Sequence, residues 1–434
     1  MSFRQVYFKE TGALFTFKSE LPDFDPGEVK KVTLPENKGI VEVMYWGKNN
    51  TEPALREKLV CNNNIIPALI AKKRDILVGN GIYCYKESIV DGKKVITEVE
   101  MPADVTQFFQ TVVIEDYLME SASELMKHQN LFVEFIRTKG GNISSFKVQE
   151  AKYIRAEKKD LSGRINNWYW SGHWGIKKKD KTFKIEPIAN YNPDKKQPKF
   201  IQRWGDKIFN DGYYYIPSWW AGREWVNLSN QIPIFHNANL NNGYNIRWHI
   251  EIPDKYFLDF EKYNACTTPE ERAACLSEEH VAEQAFIDTV NNFLSGPENG
   301  GRALFTKYEL NVALGKDFPG IKIKALDYDM KDESLLSLFE KSNTANISAQ
   351  GIHPTLAGVE TQGKLSSGTE IRNAFLMYLI INTPLPRKMM LKAIEFVQKE
   401  NKWDPTLKFG FRDFEMSKLS DEKTGMTDRN TPSI

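Results

Sequence analysis

Seven tryptophans form the first group of side chains whose type and spacing could do chemistry. They fall within fewer than sixty positions, at Trp168, Trp170, Trp174, Trp204, Trp219, Trp220 and Trp225. Such rings stack on sugars or nucleobases, and they also fill small cores and subunit interfaces. The sequence favours a core or interface role. A carbohydrate-binding or carbohydrate-hydrolysing cleft is the alternative, and hydrolysis would need two facing carboxylates.

Acidic and sulfur ligands form the second group. Four carboxylates follow the strand near residue 325, namely Asp327, Asp329, Asp332 and Glu333. This segment lacks the glycine and terminal glutamate of a calcium loop. A helix N-terminus explains the carboxylates equally well. The four cysteines show no CxxC spacing and no histidines at zinc-site distances: Cys61, Cys84, Cys266 and Cys275. We therefore expect reduced thiols, no metal, no cofactor and no catalytic group.

The charge balance limits contact with nucleic acid. Lysine and arginine total 58 against 57 acidic residues, giving a net charge of +1. Neutralising phosphates takes clustered cations, so any contact with nucleic acid should be local or weak. The basic loops at 177–181 and 194–199 are expected to be solvated surface, with phosphate contact as the alternative.

The elements that must position these residues centre on 332–403. A helix is predicted to open at Asp332, which can cap its first turn. The connector GIHPTLAGVETQGKLSSG follows, and Ser367 and Glu370 then form a capping box for a second helix. That helix has apolar residues at i, i+4 and i+8, so one broad face should be buried: Ile371, Phe375 and Leu379, with Leu376 and Ile380 beside them.

Prolines and short apolar runs set further limits on these helices. Pro384 and Pro386 should kink or break the second helix, because proline lacks a donor and clashes with the preceding turn. The longest apolar run, 374–381, is far shorter than the ~20 residues of a membrane span. Residues 1–15 contain charges and no apolar run, so we expect no signal peptide.

An earlier helix has a narrow apolar seam of the kind that packs against a neighbouring helix. Its residues are Ala221, Trp225, Leu228, Ile232 and Phe235. Pro233 should bend this helix. Between the seam helix and Asp332, a short helix, a longer helix and three strands predict a compact α/β unit, so the fold class is α+β.

These motifs, in this order, resemble the portal protein of tailed bacteriophages over roughly residues 40 to 430. The segments that resemble the family are NNTEPALREKL, AKKRDILVGNGIYCY, DGYYYIPSWW, SEEHVAEQAFIDTVNNFLSGPENGGRALF, GIHPTLAGVE and TEIRNAFLMYLIINTPLPRKMM. The resemblance implies a non-enzymatic ring, usually a dodecamer, at one capsid vertex. Double-stranded DNA would be packaged and ejected through it.

The resemblance also implies a wing, stem, clip and crown protomer with long amphipathic helices and a small α/β clip insertion. The implied parts are an N-terminal wing (1–215), a first stem helix (216–243), a clip (244–331), a second stem helix (332–350), a connector and tunnel loop (351–367), a long wing helix (368–403) and a short crown or tail (404–434).

The implied partners are further copies of the chain, non-specifically bound double-stranded DNA, the terminase, the major capsid protein and the head-to-tail adaptor, without a membrane. The protein would be assembled in the host cytoplasm and reside in the virion. The residues implied to pack between subunits are the five seam residues with Leu335, Leu338 and Phe339. Another phage head or neck component is the remaining alternative.

The implied tunnel loop consists of Gly363, Lys364, Leu365, Ser366, Ser367 and Gly368. A DNA conduit must confine the duplex without holding it, and one cation avoids a deep phosphate trap. The two glycines would let the loop shift as DNA passes.

Overall fold

The computed structural model describes residues 2–8, 13–19, 27–34, 39–174, 184–209, 211–241, 246–253, 256–294, 302–308, 321–325, 332–358 and 368–414. It is 49% helical and 23% strand, which confirms the α+β class. The chain divides into two compact units, Met1–Asn227 with Ser342–Ile434, and Leu228–Lys341.

The strands of the described residues are β1 (Ser2–Phe8), β2 (Ala13–Ser19), β3 (Val29–Thr33), β4 (Ile40–Met44), β5 (Ile82–Val90), β6 (Lys93–Val99), β7 (Leu131–Arg137), β8 (Ile143–Gln149), β9 (Ile154–Glu157), β10 (Asn167–Trp170), β11 (Glu186–Asn190), β12 (Lys199–Trp204), β13 (Ile246–Pro253), β14 (Arg302–Tyr308), β15 (Lys322–Ala325) and β16 (Leu407–Phe411).

The α-helices of the same residues are α1 (Glu52–Cys61), α2 (Ile66–Val78), α3 (Ala103–Val112), α4 (Ile114–His128), α5 (Arg223–Asn241), α6 (Phe260–Ala265), α7 (Pro269–Leu294), α8 (Asp332–Ala349), α9 (Pro354–Ala357), α10 (Gly368–Asn382) and α11 (Pro384–Glu400).

An eight-stranded sheet forms the first unit's centre, in the order β3-β4-β9-β10-β11-β12-β7-β8. Neighbouring strands in this sheet are antiparallel, except that β11 and β12 run parallel to each other. A second, antiparallel sheet has the order β16-β5-β6. Leu407–Phe411, assigned from the sequence to a crown or tail, therefore lies beside a strand of the N-terminal region.

The main core of the first unit packs helices against the sheet. α11 contributes the fully buried Met390, Ala393, Ile394 and Val397, which share one cluster with residues of α4 and β7. The buried Tyr117 hydroxyl on α4 donates to the Met390 carbonyl at 2.8 Å and fixes the two helices' register. Most of the stabilisation of this unit comes from such apolar burial.

The second unit holds a three-stranded sheet in the order β14-β13-β15, with β13 parallel to β14 and antiparallel to β15. Ile250 and Ile252 of β13 are buried. This unit, Leu228–Lys341, extends beyond the α/β unit expected from about residue 244 to 330, which stays a prediction.

Two predicted helices have different boundaries in the structure. The segment 216–243 begins with a 3-10 helix at Ser218–Gly222, and α5 then continues through Pro233 to Asn241. The single helix expected over 368–403 is two helices, α10 and α11, separated by Thr383. Pro384 and Pro386 lack backbone donors, so the helical ladder ends there, as the sequence suggested.

Candidate subunit-contact and loop-anchoring surface

Helix α10 has many apolar side chains, and the single chain leaves most of them exposed to solvent. Phe375 and Tyr378 are buried in a cluster with residues of α2, α8 and α9. Leu379 is half-buried against the same cluster. Five further large apolar residues are exposed by 40% or more, namely Ile371, Leu376, Met377, Ile380 and Ile381. The expectation that Ile371, Leu376 and Ile380 lie on a buried face is therefore wrong for the single chain. A helix that is apolar on most of its circumference needs more cover than one protomer supplies.

Leu385 extends this exposed surface onto the first turn of α11, with 49% of its area exposed. The side chains of Ile371, Leu376, Met377, Ile380, Ile381 and Leu385 are called the α10 face below. Scattered apolar side chains are ordinary on a protein surface, whereas a set on one helix marks an interaction site.

The connector before α10 is anchored by two consecutive lysines of α2. The Lys72 ammonium donates to the Leu356 carbonyl at 2.7 Å, at the end of α9. The buried Lys73 ammonium donates to the Gln350 carbonyl at 2.9 Å and to its side-chain oxygen at 3.1 Å, just after α8. Cations are favourable beside the carbonyl ends of helices. Both helix ends that precede the predicted tunnel loop are thus fixed to α2.

The same anchor joins the two sides of the predicted loop. The Thr355 hydroxyl of α9 donates to the Glu370 carboxylate of α10 at 3.3 Å. Gly358 follows α9 with a φ of 79°, a left-handed conformation that favours glycine. The helices on either side of residues 359–367, α9 and α10, are therefore hydrogen-bonded to each other.

Lys73 is unusual because its buried ammonium donates to two neutral oxygens of Gln350. Burial lowers the pKa of Lys73 to about 8. The sequence contained a signal for this residue, since Lys73 occupies an apolar position of the α2 pattern beside Leu69, Ile70 and Leu77. A lysine at a buried position needs hydrogen-bond acceptors, and Gln350 provides two.

Most of the predicted tunnel loop, Gly363 to Ser367, lies outside the described residues. Gly368 is the first residue of α10, and a Cβ built on it would meet no atom within 4 Å. Packing does not demand glycine there. The proposed role of Lys364 stays a prediction from the sequence.

The predicted stem residues do not share one environment in the single chain. Ala221 is exposed and lies in the 3-10 helix before α5; Trp225 and Phe235 are 43% and 42% exposed, Leu228 is half-buried and Ile232 is buried. On α8, Leu335 and Leu338 are buried and Phe339 is half-buried. The rings of Trp225 and Phe235 are therefore only partly covered in the single chain. Ile232, Leu335 and Leu338 are already covered within the protomer.

Three of the seven tryptophans are buried in the core, while Trp170, Trp174 and Trp204 are half-buried and Trp225 is 43% exposed. Trp168, Trp219 and Trp220 are each no more than 3% exposed. The Trp168 indole donates to Asn190 at 3.0 Å, and that of Trp219 donates to the Met126 carbonyl at 3.1 Å. Buried rings with satisfied N–H groups cannot stack on a ligand. The core role holds for these three rings.

One group of possible metal ligands occurs among the described residues. Glu57, Glu124 and His128 place ligand atoms within 4.8 Å of one another. The Lys127 ammonium lies 3.2 Å from Glu57 and 2.8 Å from Glu124, and the Lys152 ammonium lies 3.3 Å from Glu57. These ammonium groups sit where a metal cation would have to bind. The group is a partly buried ion-pair cluster.

The titration of this cluster agrees with that interpretation. Burial by itself raises the pKa of Glu57, but His128 and Lys127 outweigh burial and lower that pKa to about 2. Burial lowers the pKa of His128, which keeps the imidazole neutral at pH 7. The carboxylate is thus paired with lysine charges and not with a histidine cation.

Some residues that the sequence singled out cannot be placed in the structure. The basic loop 177–181, Asp327 and Asp329 lie outside the described residues.

None of the helices in the described part of the chain combines the length and hydropathy that a membrane crossing needs.

Comparisons with known proteins were made at the level of sequence and of structure. No protein-family model matches the sequence, and no curated protein matches it. Chains of gene transfer agent (GTA) particles match in structure. A chain of the "neck of empty GTA particle computed with C6 symmetry" has a TM-score of 0.50 and 11% identity, and the match covers 93% of each chain.

A chain of the "neck of native GTA particle computed with C12 symmetry" has a TM-score of 0.49, 11% identity and coverage of 88% of this chain and 85% of that one. At such identities only the fold is comparable. The fold of this chain is similar over nearly its whole length to that of the empty-particle neck chain, in agreement with the resemblance to phage portal-type proteins.

Proposed function

We propose that this protein is a structural component of the head or neck of a phage-like particle, and specifically a portal-type protein that assembles into a ring around double-stranded DNA. The observation that supports it most is the fold likeness across 93% of both chains to a chain of a GTA neck with C6 symmetry. A symmetric assembly of identical chains needs a surface on each protomer that another copy covers.

The α10 face is the surface that we assign to this contact. Its six apolar side chains are each 40% to 70% exposed in the single chain. Covering them with a second copy would remove apolar area from water at about 25 cal/mol per Å². Trp225 and Phe235 would add a second contact along the proposed stem.

The remaining parts of the proposed protomer follow the family layout. The described elements up to β12 would form the wing, α5 and α8 the stem, and β13 to β15 with α6 and α7 the clip, which would meet the terminase and later the adaptor. The connector between α9 and α10 would reach toward DNA, with its ends held by Lys72, Lys73 and the Thr355–Glu370 hydrogen bond. We propose no catalytic role.

Mass photometry and negative-stain microscopy of the purified protein test the ring directly. Twelve chains of 50.0 kDa give a ring of about 600 kDa. A ring of another subunit number would keep the proposed assembly and change its symmetry. Purified protein that stays monomeric at high concentration would contradict the proposal.

Ile380→Glu tests whether the α10 face forms the contact. Ile380 is 70% exposed, so the change should leave the chain folded, and a buried unpaired carboxylate at the contact should shift the protein to monomers. Ile89→Glu is the matched control, because Ile89 is 80% exposed on β5 and lies outside this face. Equal ring yields for the two variants would remove the α10 face from the contact.

The DNA role is tested at Lys364. Lys364→Glu should leave ring assembly intact and reduce the DNA packaged or retained per particle, because a carboxylate in the proposed tunnel loop would repel phosphates. Lys364→Arg keeps the charge and serves as control. Unchanged DNA content in the glutamate variant would remove Lys364 from the proposed channel.

A further inference from the structure

Two of the four cysteines lie next to each other in the second unit. The Sγ atoms of Cys266 and Cys275 are 3.4 Å apart. The sulfurs of a disulfide lie about 2.05 Å apart, so closing the bond needs an approach of little more than 1 Å. We propose that Cys266 and Cys275 form a reversible disulfide that joins the end of α6 to the second turn of α7.

The local sequence holds the two thiols in this position. The turn after Cys266 ends in a capping box: the Glu271 backbone N–H donates to the Thr268 hydroxyl at 3.3 Å, and the Glu271 carboxylate accepts from the Thr267 and Thr268 backbone N–H groups at 2.9 and 3.2 Å. This reciprocal bonding fixes the start of α7. Cys266 is the residue that caps the end of α6, so the turn directs it back toward α7.

A second contact holds the two helices together beside the thiols. The Lys262 ammonium of α6 forms an ion pair with the Glu278 carboxylate of α7. Cys266 also donates to the Lys262 carbonyl at 3.1 Å. The spacing of the two cysteines in the sequence gave no indication of the pair. A helix–turn–helix brings residues nine positions apart together only when the turn folds back.

The exposure of the two thiols sets the order of the reaction. Cys266 is half-buried and Cys275 is buried. A small disulfide such as oxidised glutathione can therefore reach Cys266 first. The Cys266 thiolate attacks one sulfur and releases one glutathione thiolate, and the Cys275 thiolate then attacks Cys266 Sγ and releases the second. Two protons leave the cysteines and two electrons pass to glutathione.

The redox conditions of the surrounding compartment determine when the disulfide forms. Thiols stay reduced in the cytosol, and disulfides persist outside the cell. If the protein is a particle component, which rests on the proposed function, the thiols would be reduced during assembly and oxidised after release. The bond would then fix the α6–α7 turn of the proposed clip only in the released particle.

Peptide mapping of the full-length protein tests the bond. The protein is incubated with oxidised glutathione, alkylated and digested with trypsin without reductant. Arg272 lies between the two cysteines, so the disulfide would join peptide 263–272 to peptide 273–302. We expect this linked pair to account for most of the Cys266 and Cys275 in the digest.

Three variants control the assignment. Cys266→Ser should abolish the linked peptides, and Cys275→Ser should leave Cys266 as a mixed disulfide with glutathione. Cys61→Ser should keep the link, since Cys61 is exposed on α1 in the first unit. Absence of linked peptides from wild-type protein in excess oxidant, or a wild-type protein that stops at the mixed disulfide, would overturn the proposal. Mass photometry of the same samples tests the ring separately, so a monomer with the disulfide would reject the proposed function and keep the bond.

Discussion

Helices α10 and α11 follow one another with a single residue between them, and they bury very different shares of their apolar side chains. Four apolar residues of α11 are fully buried, namely Met390, Ala393, Ile394 and Val397. Five of α10 are 40% to 70% exposed, namely Ile371, Leu376, Met377, Ile380 and Ile381. The comparison separates a helix that stabilises the folded chain from one whose surface another chain can cover.

The difference begins in the patterns of the two helices. Apolar residues of α11 recur along one stripe, and charged residues occupy the other side, so a single core contact covers the stripe. The segment 374–381 of α10 is apolar in every direction, so covering one side necessarily leaves another exposed. Phe375 and Tyr378 are the two α10 residues that the protomer buries.

Among the substitutions that test this comparison, Ile394→Ala should cause the largest loss of stability. The change removes buried methyl groups from a fully buried position and leaves a cavity, so we expect a loss of about 2–5 kcal/mol in the free energy of unfolding. Urea unfolding, at a concentration where mass photometry shows single chains, measures it. A loss below about 1 kcal/mol would mean that α11 does not pack in the core as described.

The polar anchor near α10 predicts a pH dependence that apolar packing of α11 does not. Burial lowers the pKa of Lys73 to about 8 from 10.5, so the unfolded chain binds more protons between these values. The free energy of unfolding should therefore rise with pH over that window. We expect a rise of about 1–3 kcal/mol, since the bonds to Gln350 offset part of the burial cost.

Lys73→Met is the control for that rise, because the variant has no ammonium at this position. Urea unfolding of both proteins from pH 7.5 to 10.5 isolates the contribution of Lys73 from that of the other titrating groups. Parallel pH profiles for the two proteins would show that Lys73 keeps an ordinary pKa.

Tyr117→Phe tests the one polar contact that fixes α11 to α4. Removing the hydroxyl deletes the 2.8 Å hydrogen bond to the Met390 carbonyl and leaves the ring in place. A neutral buried hydrogen bond contributes about 1 kcal/mol, and urea unfolding should show a loss of that size. Unchanged stability would show that this hydrogen bond does not contribute to holding α11 against α4.

Ile380→Ala is the smallest expected effect and the direct counterpart of the Ile394 change. Ile380 is 70% exposed, so the free energy of unfolding of the single chain should change by less than about 0.5 kcal/mol. The same variant should reduce the yield of rings in mass photometry. A loss of several kcal/mol in the single chain would show that α10 is covered by its own protomer, which would end the contrast.

The sequence predicted the helices around the connector well, because their signals are local. Asp332 begins α8 and Pro384 begins α11. The sequence favoured a core or interface role for the tryptophans as a group, but it could not tell which rings are buried, since a ring that stacks on ligands and a ring that fills a core have the same residue type. The structure buries Trp168, Trp219 and Trp220 and leaves Trp225 43% exposed.

The sequence by itself determined where the main helices lie and that α10 is apolar, because backbone hydrogen bonding and side-chain spacing are set within a few turns. Only the tertiary structure decided which of those apolar residues are covered. Phe375 is buried and Ile371, one turn earlier on the same stripe, is 40% exposed. Burial depends on segments far away in the chain, such as α2, whose Leu69 and Ile76 share a cluster with Phe375. The proximity of Cys266 and Cys275 was decided in the same way, by how a turn folds back.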